Sequence, residues 1–257
     1  MVADHAEDTS LTDGAQMHEG EVSAMLGLAG WPAAAEEMVV ARDLLLAELT
    51  GGRLHLCHLS TANAVELVRA AKARGVRVTA EAAPHHFTLT DDTVRSYDPV
   101  FKVNPPLREK ADVEAVRQGL ADGAIDAIAT DHAPHAREDK EVEWPAAPPG
   151  MLGLETALGL TLTELVAPGY LELPAAIERL TAGPARCRRL PGHGGPVTPG
   201  APANLTVLDP AARWTVDRAR LASRARNTPF HGRELTGRVV HTLLRGAFTV
   251  RDGKAQR

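Results

Sequence analysis

Residues 125–135 read Ile-Asp-Ala-Ile-Ala-Thr-Asp-His-Ala-Pro-His, an apolar, β-branched-leaning run that stops abruptly in a carboxylate, two imidazoles and a proline. A strand buried in a parallel sheet or barrel looks like this when it delivers chemistry at its carboxyl end. Asp131 stands where the strand stops, and Pro134 keeps the following loop from continuing the hydrogen-bond ladder. His135 lies four residues beyond Asp131, on a loop placed to close over a ligand. A surface turn rich in Asp and His would look the same in isolation. Three upstream stretches share the design, and the repetition favours a rim of strand ends.

The first is Met1-Val2-Ala3, the stub of a strand feeding the loop His5-Ala6-Glu7-Asp8. The second is Arg53–Thr61, with two histidines three residues apart, which a strand points to opposite sides. His58, nearer the carboxyl end, is the better ligand candidate, and His55 packs or bonds structurally. The third is Val76–Ala83, ending in Pro84-His85-His86. Helical periodicity separates them. One helix begins after Pro32 and runs through Ala35, Met38, Val39, Leu45, Leu46 and Leu49 to Thr50-Gly51-Gly52. A second is capped by Ser60-Thr61 and ends in basic residues and Gly75, and a third covers residues 109–122. Glu19–Glu37 reads as a mobile connection. Two prolines fix an extended loop over residues 101–108 and present Asn104 rigidly.

Strands alternating with helices imply parallel strands joined by crossover helices, an α/β fold. Beyond Asp131 come a Pro/Ala/Gly loop at Pro145–Gly150 and two apolar helices, Leu152–Val166 and Leu173–Leu180. From Pro191 turn residues dominate, and short strands are expected at Leu205–Leu208, Val239–Leu244 and Phe248–Lys254. The expected organisation is a partial (β/α) barrel over residues 1–190 and a small β appendage over residues 191–257.

The 257 residues are 44% hydrophobic and only 4% aromatic, so aliphatic side chains must supply most of the core. A formal net charge of -5 without a Lys/Arg block leaves nucleic-acid binding no electrostatic footprint. Cys57 and Cys187 form no motif, which suits a reducing compartment. The amino end lacks the basic and apolar regions of a secretory signal. No apolar run reaches the ~18 residues of a membrane helix. The expectation is a cytoplasmic protein that binds neither membrane nor nucleic acid.

Parallel neighbouring strands would bring His5, His58 and Asp131 to one rim. Imidazoles and a carboxylate suit a zinc-class cation with an open position for water. Such a metal lowers the pKa of that water to about 7. Asp131 could then take the proton and pass it to a leaving nitrogen. Asn104 and His135 offer donors to an anionic or amide-bearing substrate.

His-Leu-Ser-Thr-Ala at 58–62, Ala-Pro-His-His at 83–86, Lys-Val-Asn-Pro-Pro-Leu-Arg at 102–108, Thr-Asp-His-Ala-Pro-His at 130–135 and Gly-Leu-Glu-Thr at 153–156 resemble bacterial dihydroorotases of the amidohydrolase superfamily. The resemblance runs nearly the whole chain and includes Gly200–Leu205 in the appendage. The Thr-Asp-His-Ala-Pro-His and Asn-Pro-Pro-Leu-Arg pair favours dihydroorotase over dihydropyrimidinase or allantoinase relatives. The resemblance implies a distorted (β/α)₈ barrel with one or two Zn2+, His5 and His58 as ligands, and Asp131 as ligand and general base. It implies that Asn104, His135 and the backbone at Pro149-Gly150 hold dihydroorotate. The reaction implied is reversible opening to N-carbamoyl-aspartate in pyrimidine synthesis. The family usually carries Phe before that glycine, where Pro149 stands here.

Two family features are missing. No His-x-His occurs in the sequence, and four barrel-type strands stand where a closed barrel needs eight. The expectation is therefore the C-terminal half of a barrel plus part of a β-sandwich appendage, with Met1 internal to a longer enzyme. The alternative is a short chain that completes its barrel with a second copy or another pyrimidine-pathway enzyme, or serves as a scaffold.

Overall fold

Four short strands carry the residues on which the sequence reading rests. The computed structural model describes residues 1–256. Strand β1 (Val2–Asp4) leads through a helical turn, α1 (Thr9–Thr12), to β2 (Met17–His18), α2 (Glu21–Leu26), β3 (Gly30–Trp31) and the long helix α3 (Ala34–Thr50). Then β4 (Leu54–Leu56), α4 (Ala62–Ala73), β5 (Val78–Ala82), α5 (Lys110–Asp122) and β6 (Ala127–Ile128) follow in alternation. These strands form a parallel sheet of order β1-β4-β5-β6, with Ala3 beside His55, His55 beside Thr79 and Ala82 beside Ile128. The α/β class with a parallel sheet is as the alternation predicts.

Side chains alternate along each strand, so the sheet has two different faces. Leu54, Leu56, Val78 and Ala80 pack in one cluster with Val39, Val40 and Leu44 of α3 and Val68 and Ala71 of α4. Burying each Leu or Val there contributes roughly 1.5–3 kcal/mol. His55, Thr79 and Glu81 share the opposite face, where they hydrogen-bond one another. A second cluster, around Val116, Leu120, Ile125, Ile128 and Leu160, seals the α5–β6 side.

After β6 come α6 (Arg137–Lys140), α7 (Ala157–Thr161), a π-helical turn at Leu162–Val166, α8 (Leu173–Leu180) and α9 (Ala182–Arg188). An antiparallel sheet of order β10-β9-β8-β7 follows, built from β7 (Leu205–Thr215), β8 (Glu234–Leu244), β9 (Ala247–Arg251) and β10 (Lys254–Ala255). Its Leu235 is buried in the cluster that contains Leu160 and Leu162.

Four local expectations are corrected. Glu19–Glu37 is structured: β2 and β3 pair in parallel across it, with α2 between them. Helix α3 turns Ala35, Val39, Val40, Leu44 and Ala47 inward, leaving Met38, Leu45, Leu46 and Leu49 exposed. Residues 152–156 form a turn ahead of α7, because Gly153 closes on the end of the β6 segment. Strand β7 continues past Leu208 through a register shift between Asp209 and Arg213, as the edge strand where Pro210 is tolerated. Among the described residues, no helix is long and apolar enough to cross a membrane.

Candidate active site

The carboxyl ends of β1 and β4 bring two histidines into contact. Cys57 N–H donates to the Asp4 carbonyl at 2.9 Å, holding the two exits side by side. His5 Nδ1 then lies 3.0 Å from His58 Nε2, with the rings edge to face at 73°. His58 has φ of 32° and Asp131 φ of 45°, left-handed conformations that a non-glycine residue holds only where its surroundings enforce them. Both strained residues are sequence-predicted site residues.

Glu7 gathers the next shell. His5 Nε2 donates to Glu7 Oε2 at 3.0 Å, Asn104 Nδ2 donates to the same oxygen at 3.1 Å, and the Thr12 hydroxyl donates to Oε1 at 2.5 Å. Burial works to raise the Glu7 carboxyl, but the bonds from Thr12, Asn104 and His5 outweigh it and hold it below the usual range. Glu7 therefore stays an anion, orienting His5 and Asn104 together.

Asp131 faces this pair. Burial raises its carboxyl above the usual range, opposed by the nearby charges of His58 and His5. Its Oδ2 lies 3.7 Å from Nε2 of His85, whose side chain is 2% exposed. Burial pushes His85 down to about 3, so it is neutral at physiological pH. His86 Nε2–H donates to the Pro105 carbonyl at 3.0 Å, tying this strand end to the Asn104 loop. His58 Nδ1, His85 Nε2 and Asn104 Oδ1 are buried without a hydrogen-bond partner among the described residues. Buried polar atoms are normally satisfied. Orphaned imidazole nitrogens beside a half-buried carboxylate are a donor set that a zinc-class ion would fit.

The loop after β6 forms a neighbouring layer. His135 Nε2–H donates to the Pro149 carbonyl at 3.0 Å, and Gly150 N–H donates to the Lys102 carbonyl at 2.8 Å. Gly150 has φ of 135°, and a Cβ there would fall 2.6 Å from His135 Nε2, so only glycine permits the contact. Asn227 accepts from His135 N–H at 3.2 Å and donates to the Ala133 and Gly150 carbonyls at 2.9 and 3.1 Å. A cavity of about 530 Å³ opens beside this layer, lined by His135, Asn227, Arg218 and Arg226 among others; His58 and Asp131 are not in its lining.

The structure thus joins His5, His58 and Asn104 through direct contacts and Glu7, sets Asp131 beside them, and places His135, Pro149 and Gly150 together next door. Sequence reasoning missed Glu7, although it stands two residues after His5. It also missed Asn227, whose segment carries no pattern, and the role of His85, visible only as half of a His-His pair. Two groups of three have all their donor atoms within 4.8 Å of one another, His55/Cys57/Glu81 and His18/Asp91/Glu109. The grouping of His5, His58 and Asp131 is looser than either.

The Dihydro-orotase-like family model matches residues 1–64. Dihydroorotase from Streptomyces coelicolor is 59% identical over 254 residues, covering 99% of this chain and 59% of that protein. Dihydroorotase from Mycobacterium tuberculosis is 55% identical with the same coverage. Among solved structures, the L-hydantoinase (dihydropyrimidinase) from Arthrobacter aurescens superposes with a TM-score of 0.88 at 31% identity, covering 99% of this chain and 58% of that one. The chain spans about three fifths of the length of the curated relatives it matches.

Proposed function

We propose, from the premise that this chain is a relative of the dihydroorotases along nearly its whole length, that it carries the metal-binding and general-base part of a cyclic amide hydrolase acting on dihydroorotate. The observation that carries the reading is the 3.0 Å contact between His5 and His58 beside the half-buried carboxylate of Asp131. In this reading residues 1–190 supply half of a (β/α) barrel and residues 191–257 a β appendage.

His5, His58 and Asp131 would hold a zinc ion, which supplies a water with pKa near 7 at the site. Asn104 and His135, with the backbone at Pro149-Gly150, would hold and orient the ring. Asp131 would act as the general base that takes a proton from water as the ring amide is attacked. It returns the proton to the ring nitrogen as the carbon–nitrogen bond breaks, giving N-carbamoyl-aspartate.

The test supplies the portion of the relatives' length that this sequence does not cover. A chain extended by the uncovered portion of the Streptomyces coelicolor relative should hydrolyse dihydroorotate with metal dependence. In that chain Asp131→Asn should lower kcat by 10²–10⁴-fold, the usual contribution of a positioned general base, with the circular dichroism spectrum unchanged. Turnover that survives the substitution removes Asp131 from its role.

A further inference from the structure

We propose that His55, Cys57 and Glu81 form a second cation site, on the face of the sheet below the His58 rim, for a zinc-class ion. The proposal stands on donor geometry and goes beyond the reading above. His55 on β4 and Glu81 on β5 project from neighbouring strands, Cys57 follows β4 directly, and one donor atom from each lies within 4.8 Å of the others. A nitrogen, a sulfur and a carboxylate oxygen make a borderline-soft set, suited to zinc or cobalt and poorly to magnesium or calcium.

The hydrogen bonds around His55 keep its Nδ1–H occupied and leave Nε2 as the nitrogen a cation could take. The Thr79 hydroxyl donates to the Leu54 carbonyl at 3.4 Å, so its oxygen is free to accept from His55 Nδ1–H at 2.8 Å. In the metal-free chain Nε2–H donates to Glu81 Oε2 at 2.9 Å, and an ion held by His55, Cys57 and Glu81 would take the place of that proton. A histidine ligand that donates its other ring N–H to a fixed acceptor is the usual arrangement around zinc. His55 is 1% exposed and Glu81 half-buried, so the donors are already ordered, and three protein ligands leave a position open. The chain has two cysteines, and the second, Cys187 at the end of α9, also faces His55.

The other close trio fails the same scrutiny. Arg108 Nη1 donates to His18 Nδ1 at 3.1 Å. His18 Nδ1 must therefore remain an acceptor, so Nε2, 3.7 Å from Glu109, holds the ring proton and cannot give it up to a metal without leaving the ring anionic, whereas His55 keeps its proton on Nδ1.

Cobalt separates this site from the one containing His5, His58 and Asp131, which has no sulfur. Co2+ added to the metal-free 257-residue protein should produce a thiolate-to-cobalt charge-transfer band in the near ultraviolet, saturating at one ion per chain. Cys57→Ser should abolish the band, and Glu81→Gln should weaken its Kd at least tenfold. Asp131→Asn should leave the band unchanged, whatever it does to turnover in the extended chain. Cobalt binding without the band, or a band that persists in a folded Cys57→Ser protein, would overturn the assignment. Where Cys57→Ser does not fold, Glu81→Gln decides: an unchanged Kd counts against the site.

Discussion

His55 and His85 lie on adjacent segments of the same parallel sheet and respond to burial in opposite senses. Burial works to lower His55, but Cys187 and the Glu81 carboxylate outweigh it and lift it to about 9. His85 has no such partner, and burial takes it down to about 3, with His86 also well below its ordinary value. In the unfolded chain all three titrate near 6.5. For His55 the folded state binds the proton more tightly, so its contribution is complete below pH 6.5 and is lost as pH rises towards 9. For His85 and His86 the unfolded state binds it more tightly, so their contribution is complete above pH 6.5 and is lost as pH falls. Each group changes stability by up to about 1.4 kcal/mol per pH unit inside its window. The metal-free protein should therefore be most stable near pH 6.5, with urea midpoints falling on both sides. His55→Gln should flatten the alkaline limb and leave the acid limb in place. An unaltered alkaline limb in a folded His55→Gln protein would show that the ion pair with Glu81 does not couple to folding.

Strand ends need a clamp to be useful, and the clamp on β6 is a glycine. Gly153 N–H donates to His132 Nδ1 at 3.1 Å, and the Gly153 Cα lies so close to the Thr130 carbonyl that an added Cβ would collide with it. The obstructing atom is backbone, which no rotamer change can clear. Gly153→Ala should thus sit at the upper end of overpacking penalties, about 3 kcal/mol. For a chain of this size that is roughly 5–10 °C in Tm, readable by thermal melting; a loss under about 2 °C would mean that the 130–153 contact is not fixed. The sequence shows the Gly but not what approaches it, and that limit recurs across the fold. The long segments were legible, because Val65 and Val68 in α4, or Val113, Val116 and Leu120 in α5, repeat at helical spacing and are closed by basic residues or glycine. Met17-His18 and Gly30-Trp31 were not, since two-residue strands carry no period and exist only because they pair with each other. The ends of β1, β4 and β6 announced His5, His58 and Asp131 as abrupt changes from apolar to polar. Glu7 and Asn227 act through contacts with residues as far as 97 and 94 positions away, which no local pattern encodes.

At the scale of the molecule, the parallel sheet has an open side. Among the described residues, strand β1 pairs only with β4, and the exposed side chains of Met1 and Val2 lie beside its outer edge. Helix α3 leads into β4 and is apolar on both faces. Its inner face is packed, while Met38, Leu45 and Leu49 form an outer stripe at i, i+7 and i+11 that solvent reaches, Leu49 being 81% exposed. An unprotected strand edge templates pairing with other chains, and a contiguous apolar patch adds to the drive. Each Leu carried from water into a contact is worth up to about 1.5–3 kcal/mol, so a few such side chains suffice for association at micromolar concentration. The isolated 257-residue chain should accordingly show a mass that rises with concentration in light scattering, and Leu45→Glu with Leu49→Glu should reduce that rise without lowering Tm. If the extended chain described above covers the β1 edge, it should lose the concentration dependence with no substitution at all. A monomeric mass for the unmodified chain at 100 micromolar, a concentration of order a hundredfold above the ~1 μM at which an interaction of about 8 kcal/mol half-saturates, would mean that edge and stripe are protected by the appendage or by the loops, and that the open side is not the feature that calls for a partner.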